Sequence, residues 1–384
     1  MTLFSADDSE SAGTPQWQPS ARPRMRRSVI VGWVLLAVAI VAVLLLSVSP
    51  APYVIEQPGP VFNTLGYDQQ VWPSEPASTD KKLLITIPDT KTYPTAGSLD
   101  LLTVGVQGNP NQLPNWLDVV EAWFQPSMAV IPVAVAFPPS VSVNEQNQQN
   151  EQLMVDSQQD AIAAALNQLG YTFPQAIAVK QIISGTPAAA SLKAGDEIHT
   201  VNGTAVPGVQ SLRDALTKNG AGKPATLGIT RGGTAQTVTV SPEESGGAVI
   251  LGIGAGMDYT FPINVKIQLN NVGGPSAGQM FALGIIDKLT PGELNNGQRV
   301  AGTGTIDNEG NVGAIGGIRQ KMFGARAAGA QWFLAPASNC DEVTGHIPSG
   351  IRVFAVKTLK DSLTVLKTIS EKGDLAALPT CPTS

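Results

Sequence analysis

Ser276 and Lys321 are the residues of this chain whose types and setting could do chemistry. Ser276 lies in Val272-Gly-Gly-Pro-Ser-Ala-Gly278, and Lys321 closes Gly316-Gly-Ile-Arg-Gln-Lys321. A lysine held neutral can take the proton of a serine hydroxyl and make it a nucleophile. Other acid–base partners are scarce: there are two histidines, His199 and His346. No His/Cys/Asp cluster has metal-ligand spacing, so no metal and no cofactor are expected. Gly220-Ala-Gly-Lys223 runs into Pro224 and lacks the phosphate-loop pattern, so no ATP site is expected.

The elements around the pair support the assignment. A Gly/Pro turn, 270–275, leads into a segment from Ser276 to Lys288 that is apolar all round and predicts a buried helix. Ser276 could serve there as a plain N-cap. The flanking Gly273, Gly274 and Gly278 instead suit close approach of a substrate, and the first N–H groups, of Ser276 and Ala277, would face an oxyanion. Residues 317–329 predict a second helix. On a 3.6-residue wheel Lys321 shares the face of Gly317, Gly324, Ala325 and Ala328, while Arg319 and Arg326 fall opposite. The small-residue face packs, and burial there lowers a lysine pKa. The bland alternative is a lysine snorkelling from a helix edge.

Composition bounds the rest. A chain of 384 residues suffices for two or three domains; with 14% charged residues and a net charge of -6, no basic stripe suggests nucleic acid. Ser28 to Ser49 is uncharged and, at about 1.5 Å per residue, crosses about 30 Å of hydrocarbon. A cleaved signal is the alternative, but the apolar run is too long for a signal core. Arg22, Arg24, Arg26 and Arg27 precede the span, and no Lys or Arg follows until Lys81. This predicts a single-pass protein of the cell membrane, residues 1–27 a disordered cytoplasmic tail, the rest extracytoplasmic. Cys340 and Cys381 are the only cysteines; an oxidising exterior predicts a disulfide, a reducing compartment two thiols.

Outside the span, 28–49, residues 50–173 hold an extended Pro/Gly segment, a buried strand at 82–88 and a short helix at 113–124. A Gln/Asn-rich hinge at 146–152 then precedes a helix from Glu151 to Leu169, stopped by Gly170. Residues 174–242 read as short strands around one helix at 209–218. The run Leu192-Lys-Ala-Gly-Asp-Glu-Ile-His-Thr-Val-Asn-Gly203 resembles a PDZ domain. That resemblance implies peptide binding by strand addition, placed between the strand Ala176–Ile183 and the helix, with Gly170–Phe173 as one candidate for the carboxylate loop. The domain could also merely space its neighbours. His199 reads as a strand-face residue.

Residues 250–370 alternate strand and helix, beginning with a strand at 263–269, and residues 371–384 form a tail. The segments Gly273-Gly-Pro-Ser-Ala-Gly278, Thr303-Gly-Thr-Ile306 and Gly310 to Lys321 resemble the proteolytic domain of Lon-type serine peptidases. The resemblance implies Ser276 as nucleophile, Lys321 as base and Thr303 as support for the lysine. It departs at Gly273, where many relatives carry an acidic residue. Strand 263–269 also lacks the histidines of some relatives. The whole arrangement is similar to bacterial membrane-anchored PDZ-containing Lon-like peptidases. The expected fold is therefore a layered α+β or α/β Lon-type domain with a β-rich PDZ-like module inserted, after one transmembrane helix. The expected function is ATP-independent cleavage of unfolded or flexible extracytoplasmic proteins, by analogy in a homo-oligomer. The alternative is a non-catalytic, membrane-tethered peptide-binding scaffold.

Overall fold

The computed structural model describes residues 27–74, 82–139 and 141–382. The expected tail, with Arg22, Arg24 and Arg26, lies outside them. Helix α1 (Arg27–Val48) has no buried residue and is long and apolar enough to cross a membrane.

β1 (Tyr53–Asn63) is the Pro/Gly segment. It forms a strand because its register shifts between Pro58 and Val61, which lets prolines sit where no ladder donor is needed. It pairs antiparallel with β2 (Gln70–Trp72), β3 (Ser98–Gln107) and, past the amphipathic helix α2 (Trp116–Trp123), β4 (Ala129–Pro132). Of the strand expected at 82–88, Ile85–Thr86 is paired, against Lys266–Ile267; these pairs are what remains of the strand expected at 263–269.

α3 runs Val143–Gln168 without a break, so the expected hinge at 146–152 is helix. The reason is local: Ser142 accepts from the Glu145 N–H while the Glu145 carboxylate accepts from the Ser142 N–H, a reciprocal capping box. Gly170, at φ +81°, ends it as expected.

The chain then builds a second sheet. β5 (Gln175–Ile182) pairs with β6 (Glu197–Val201); α4 (Val209–Asn219) follows, then the hairpin β7 (Ala225–Arg231) and β8 (Thr234–Val240). β9 (Ile253–Tyr259) closes this sheet in the order β8-β7-β6-β5-β9. Residues expected within 250–370 thus belong to the inserted sheet, because β9 pairs with β5 from Ile253 to Tyr259.

The chain returns to the first layer with the buried helix α5 (Gly278–Leu289), then β10 (Arg299–Gly302), α6 (Ile318–Ala327), β11 (Trp332–Pro336), β12 (Arg352–Val356) and α7 (Leu359–Ser370). β12, β11, β10 and β3 run parallel, completing a seven-stranded sheet in the order β12-β11-β10-β3-β1-β2, with β4 also on β1. Segments before and after the inserted sheet therefore share one core, in which Phe62, Leu99, Ile162, Phe281, Ile285 and Phe354 meet.

Cys340 and Cys381 are bonded, and Cys381 is buried in the core beneath α6. The bridge closes a loop with a sequence separation of 41. Closing such a loop removes about 4 kcal/mol of unfolded-chain entropy. We expect Cys340→Ser with Cys381→Ser to lower stability by about 2–4 kcal/mol, read as an earlier urea midpoint.

Candidate active site

Ser276 does not cap α5. That helix starts at Gly278 with Ala277 in the cap position and no side-chain cap bond, so the serine hydroxyl is free for another partner. That partner is Lys321, whose Nζ lies 2.7 Å from Ser276 Oγ. Gly317 makes this reach by opening α6 at φ +67°, where a Cβ would also strike Val104 at 2.6 Å. Lys321 then sits one turn in, 3% exposed, with Gly324 and Ala325 buried beside it and Arg326 outside. The wheel's placement of Lys321 on the packing face and of Arg326 outside is the observed one, whereas Arg319, expected opposite, is half-buried with its Nε out of solvent.

Burial pushes the Lys321 ammonium down from 10.5 to about 7, and among the described residues no carboxylate offsets it. Nζ also donates to Thr303 Oγ1 at 3.0 Å, and Thr303 Oγ1 donates to the Ser276 carbonyl at 3.0 Å. Thr303 is fully buried, fixed from β10 by its own N–H to the Leu334 carbonyl. The Gly304 N–H holds the same Ser276 carbonyl at 3.0 Å. The three residues named from sequence thus meet at one point.

Two neighbours were missed. α3 lies along the serine loop: the Asn150 carbonyl accepts from the Gly274 N–H at 2.8 Å, and Ser157 Oγ donates to the Pro275 carbonyl at 2.9 Å. Positions 150 and 157 are two turns apart on one helix face. The spacing is in the sequence, but the expected hinge takes in position 150 and only 157 falls in the expected helix. A Cβ on Gly278 would meet Ser157 Oγ at 2.8 Å and Ile306 Cγ2 at 2.9 Å, so this glycine serves the packing of α5 on α3. Among the described residues, the N–H groups of Ser276 and Ala277 have no protein acceptor. Also among the described residues, no group of His, Cys, Asp or Glu could hold a metal.

Residues 270–369 match the Lon protease (S16) C-terminal proteolytic domain, and residues 142–241 match the PDZ domain family. The chain carries a Lon-type proteolytic domain and a PDZ domain. Curated relatives cover the proteolytic part: a Lon protease of Fusobacterium nucleatum is 36% identical over 91 residues, 23% of this chain and 12% of the relative. Lon protease 2 of Bacillus subtilis is 36% identical over 106 residues, 28% of this chain and 18% of the relative. The chain thus spans less than a fifth of the length of these relatives. Among solved structures, the PDZ domain of an SdrC-like protein from Listeria monocytogenes is 21% identical, with a TM-score of 0.21, covering 22% of this chain and 92% of that one.

The PDZ groove is not where the sequence placed it. β5, the strand expected to receive a peptide, is paired on both edges, by β6 and β9. The sheet's edge strands are β8 and β9, and β9 is the one beside α4. A groove of about 200 Å³ lies beside it, lined by Val209, Leu212 and Leu216 of α4 and by Val249 to Ile253. Gly170–Phe173 is at the other end of β9, where Phe173 packs against Tyr259 and Phe261. Leu251-Gly-Ile-Gly254 ahead of a strand was the available signal, with Gly252 at φ +81°. From the β9 side a cleft of about 770 Å³ leads past Asp156, Ser157 and Asp160 of α3 to Pro275 and Thr305, next to the serine loop.

Thr303→Val would keep the shape but remove two bonds, the one from the lysine amine and the one to the Ser276 carbonyl. A bond to a charged group is worth about 1.5–3 kcal/mol, so we expect about a 10–100-fold loss of kcat/KM, with a lowered melting temperature from the buried groups left unpaired.

Proposed function

We propose that this chain is a membrane-anchored, ATP-independent serine endopeptidase acting on unfolded or flexible extracytoplasmic protein. The observation that carries it is the 2.7 Å contact between a half-buried serine hydroxyl and a fully buried lysine of pKa about 7. Ser276 Oγ attacks the peptide carbonyl as Lys321 Nζ takes its proton. The N–H groups of Ser276 and Ala277 receive the oxyanion. Collapse breaks the C–N bond, the ammonium of Lys321 returns the proton to the leaving amine, and an ester to Ser276 remains. A water molecule, deprotonated by the same lysine, then hydrolyses that ester and restores the hydroxyl.

Thr303 orients Nζ between these steps, and α3 keeps the serine loop in place. A peptide added to the free edge of β9, its tail at Val249–Gly252, would extend through the cleft toward Pro275. This supports selection of substrates by their C-terminal tails. Anchoring is supported by the length and apolarity of α1.

The test is cleavage of a permanently unfolded protein by the full chain in detergent. Equal rates with and without ATP and magnesium are expected. A rate that requires nucleotide would overturn the ATP-independent part.

A further inference from the structure

Helix α2 has two apolar faces, and one of them is uncovered. Val119 and Ala122 are buried against Ala51 and Ile55, while Leu117 (36%), Val120 (37%), Trp123 (58%) and Phe124 (83%) are exposed. At 3.6 residues per turn these four side chains fall within an arc of about 120°, and Asp118 and Glu121 lie outside it. Two large aromatics and two aliphatics on one open stripe are costly in water, and they form a patch rather than scattered singles.

The patch is placed by the end of α1. The Trp116 N–H donates to the Ser49 carbonyl at 3.2 Å, and the Ala51 N–H donates to the Pro114 carbonyl at 2.8 Å. The start of α2 is thus fastened to the last turn of the apolar helix. The segment Trp116–Trp123 carries no Lys or Arg, so nothing in it seeks anionic headgroups.

We propose that this face of α2 seats the folded body in the interface of the same lipid bilayer that α1 crosses. The proposal rests on the anchoring stated above. An aromatic, uncharged stripe suits the headgroup–acyl boundary, where Trp and Phe sit well. The occupant is a lipid surface, recognised by apolar insertion rather than by charge. Its consequence is a fixed height and orientation of the catalytic cleft over the membrane, where a chain on a single flexible tether would tumble.

The test uses the full chain reconstituted into phosphatidylcholine vesicles with brominated acyl chains, for wild type and Trp123→Phe. The fluorescence difference between the two reports Trp123 alone. We expect bromination to quench that difference by at least half, and replacing a third of the lipid with phosphatidylglycerol to leave the quenching unchanged. Retention through an alkaline carbonate wash with an unquenched Trp123 difference would overturn the seating and leave anchoring intact. A Trp123 shielded because two copies of the chain cross-link through α2 would likewise overturn it. Extraction by carbonate would overturn anchoring and seating together.

Discussion

Ser276→Ala is expected to abolish cleavage of unfolded protein, with kcat/KM falling by at least about 10³-fold. The size follows from the chemistry. Without Oγ no ester intermediate forms, and what remains is whatever the oxyanion donors and binding supply to direct attack by water. The fold should not suffer. The hydroxyl is half-buried, α5 starts without its help, and its partner Lys321 keeps Thr303. The measurement is a progress curve on a fluorogenic unfolded substrate, alongside a melting curve of the same preparation. Cleavage at the wild-type rate would remove Ser276 from the mechanism. Absence of cleavage by the wild type itself would favour the scaffold reading, with its groove beside β9 as the working surface.

Lys321→Met is expected to cost about as much activity and to leave stability equal or higher. The lysine is buried with no acidic partner, and its folded pKa of about 7 lies below the ordinary lysine value. The sign follows. Below about pH 7 the fold carries a buried ammonium that the unfolded chain would hydrate, so protonation opposes folding there. That opposition weakens as pH rises and vanishes above the unfolded value near ~10.4. Methionine has similar length and no charge, so the variant should melt no earlier than wild type at pH 6. A marked drop in melting temperature would mean that Lys321 has a structural partner that this account lacks. The doubly substituted Ser276→Ala, Lys321→Met chain should be no worse than Ser276→Ala alone, since the two act as a unit.

The site was more legible than its surroundings. Ser276, Thr303 and Lys321 sit in short motifs whose glycines and small residues fix local geometry, and a helix wheel alone put Lys321 on the packing face. What holds them was harder to see. β10 has four residues, too short for a period, and becomes a strand because β3 and β11 flank it. β1 carries Pro58, Gly59 and Pro60, which argue against a strand until the register shift is known. The start of α3 is rich in Gln and Asn and reads as a hinge, although Ser142 and Glu145 were there to cap it. The hinge reading covers Asn150, while Ser157 falls in the expected helix; that both hold the serine loop follows only from how α3 packs. The groove was assigned to the wrong strand for a topological reason: β9 comes after the recognisable motif and pairs back across it.

Activation of Ser276 by a buried, neutral lysine is tested by the pH dependence of acylation. At pH 8 a lysine with a pKa of about 7 is roughly 90% neutral, whereas one at ~10.4 is neutral in fewer than about 1% of molecules. The measurement is the second-order rate of acylation of the full chain by an activated ester, from pH 5 to 10. The prediction is a single rise centred near pH 7 with a plateau above it, lost in Lys321→Met. A rate that climbs without inflection toward pH 10, or a rise near 7 that survives Lys321→Met, would contradict it.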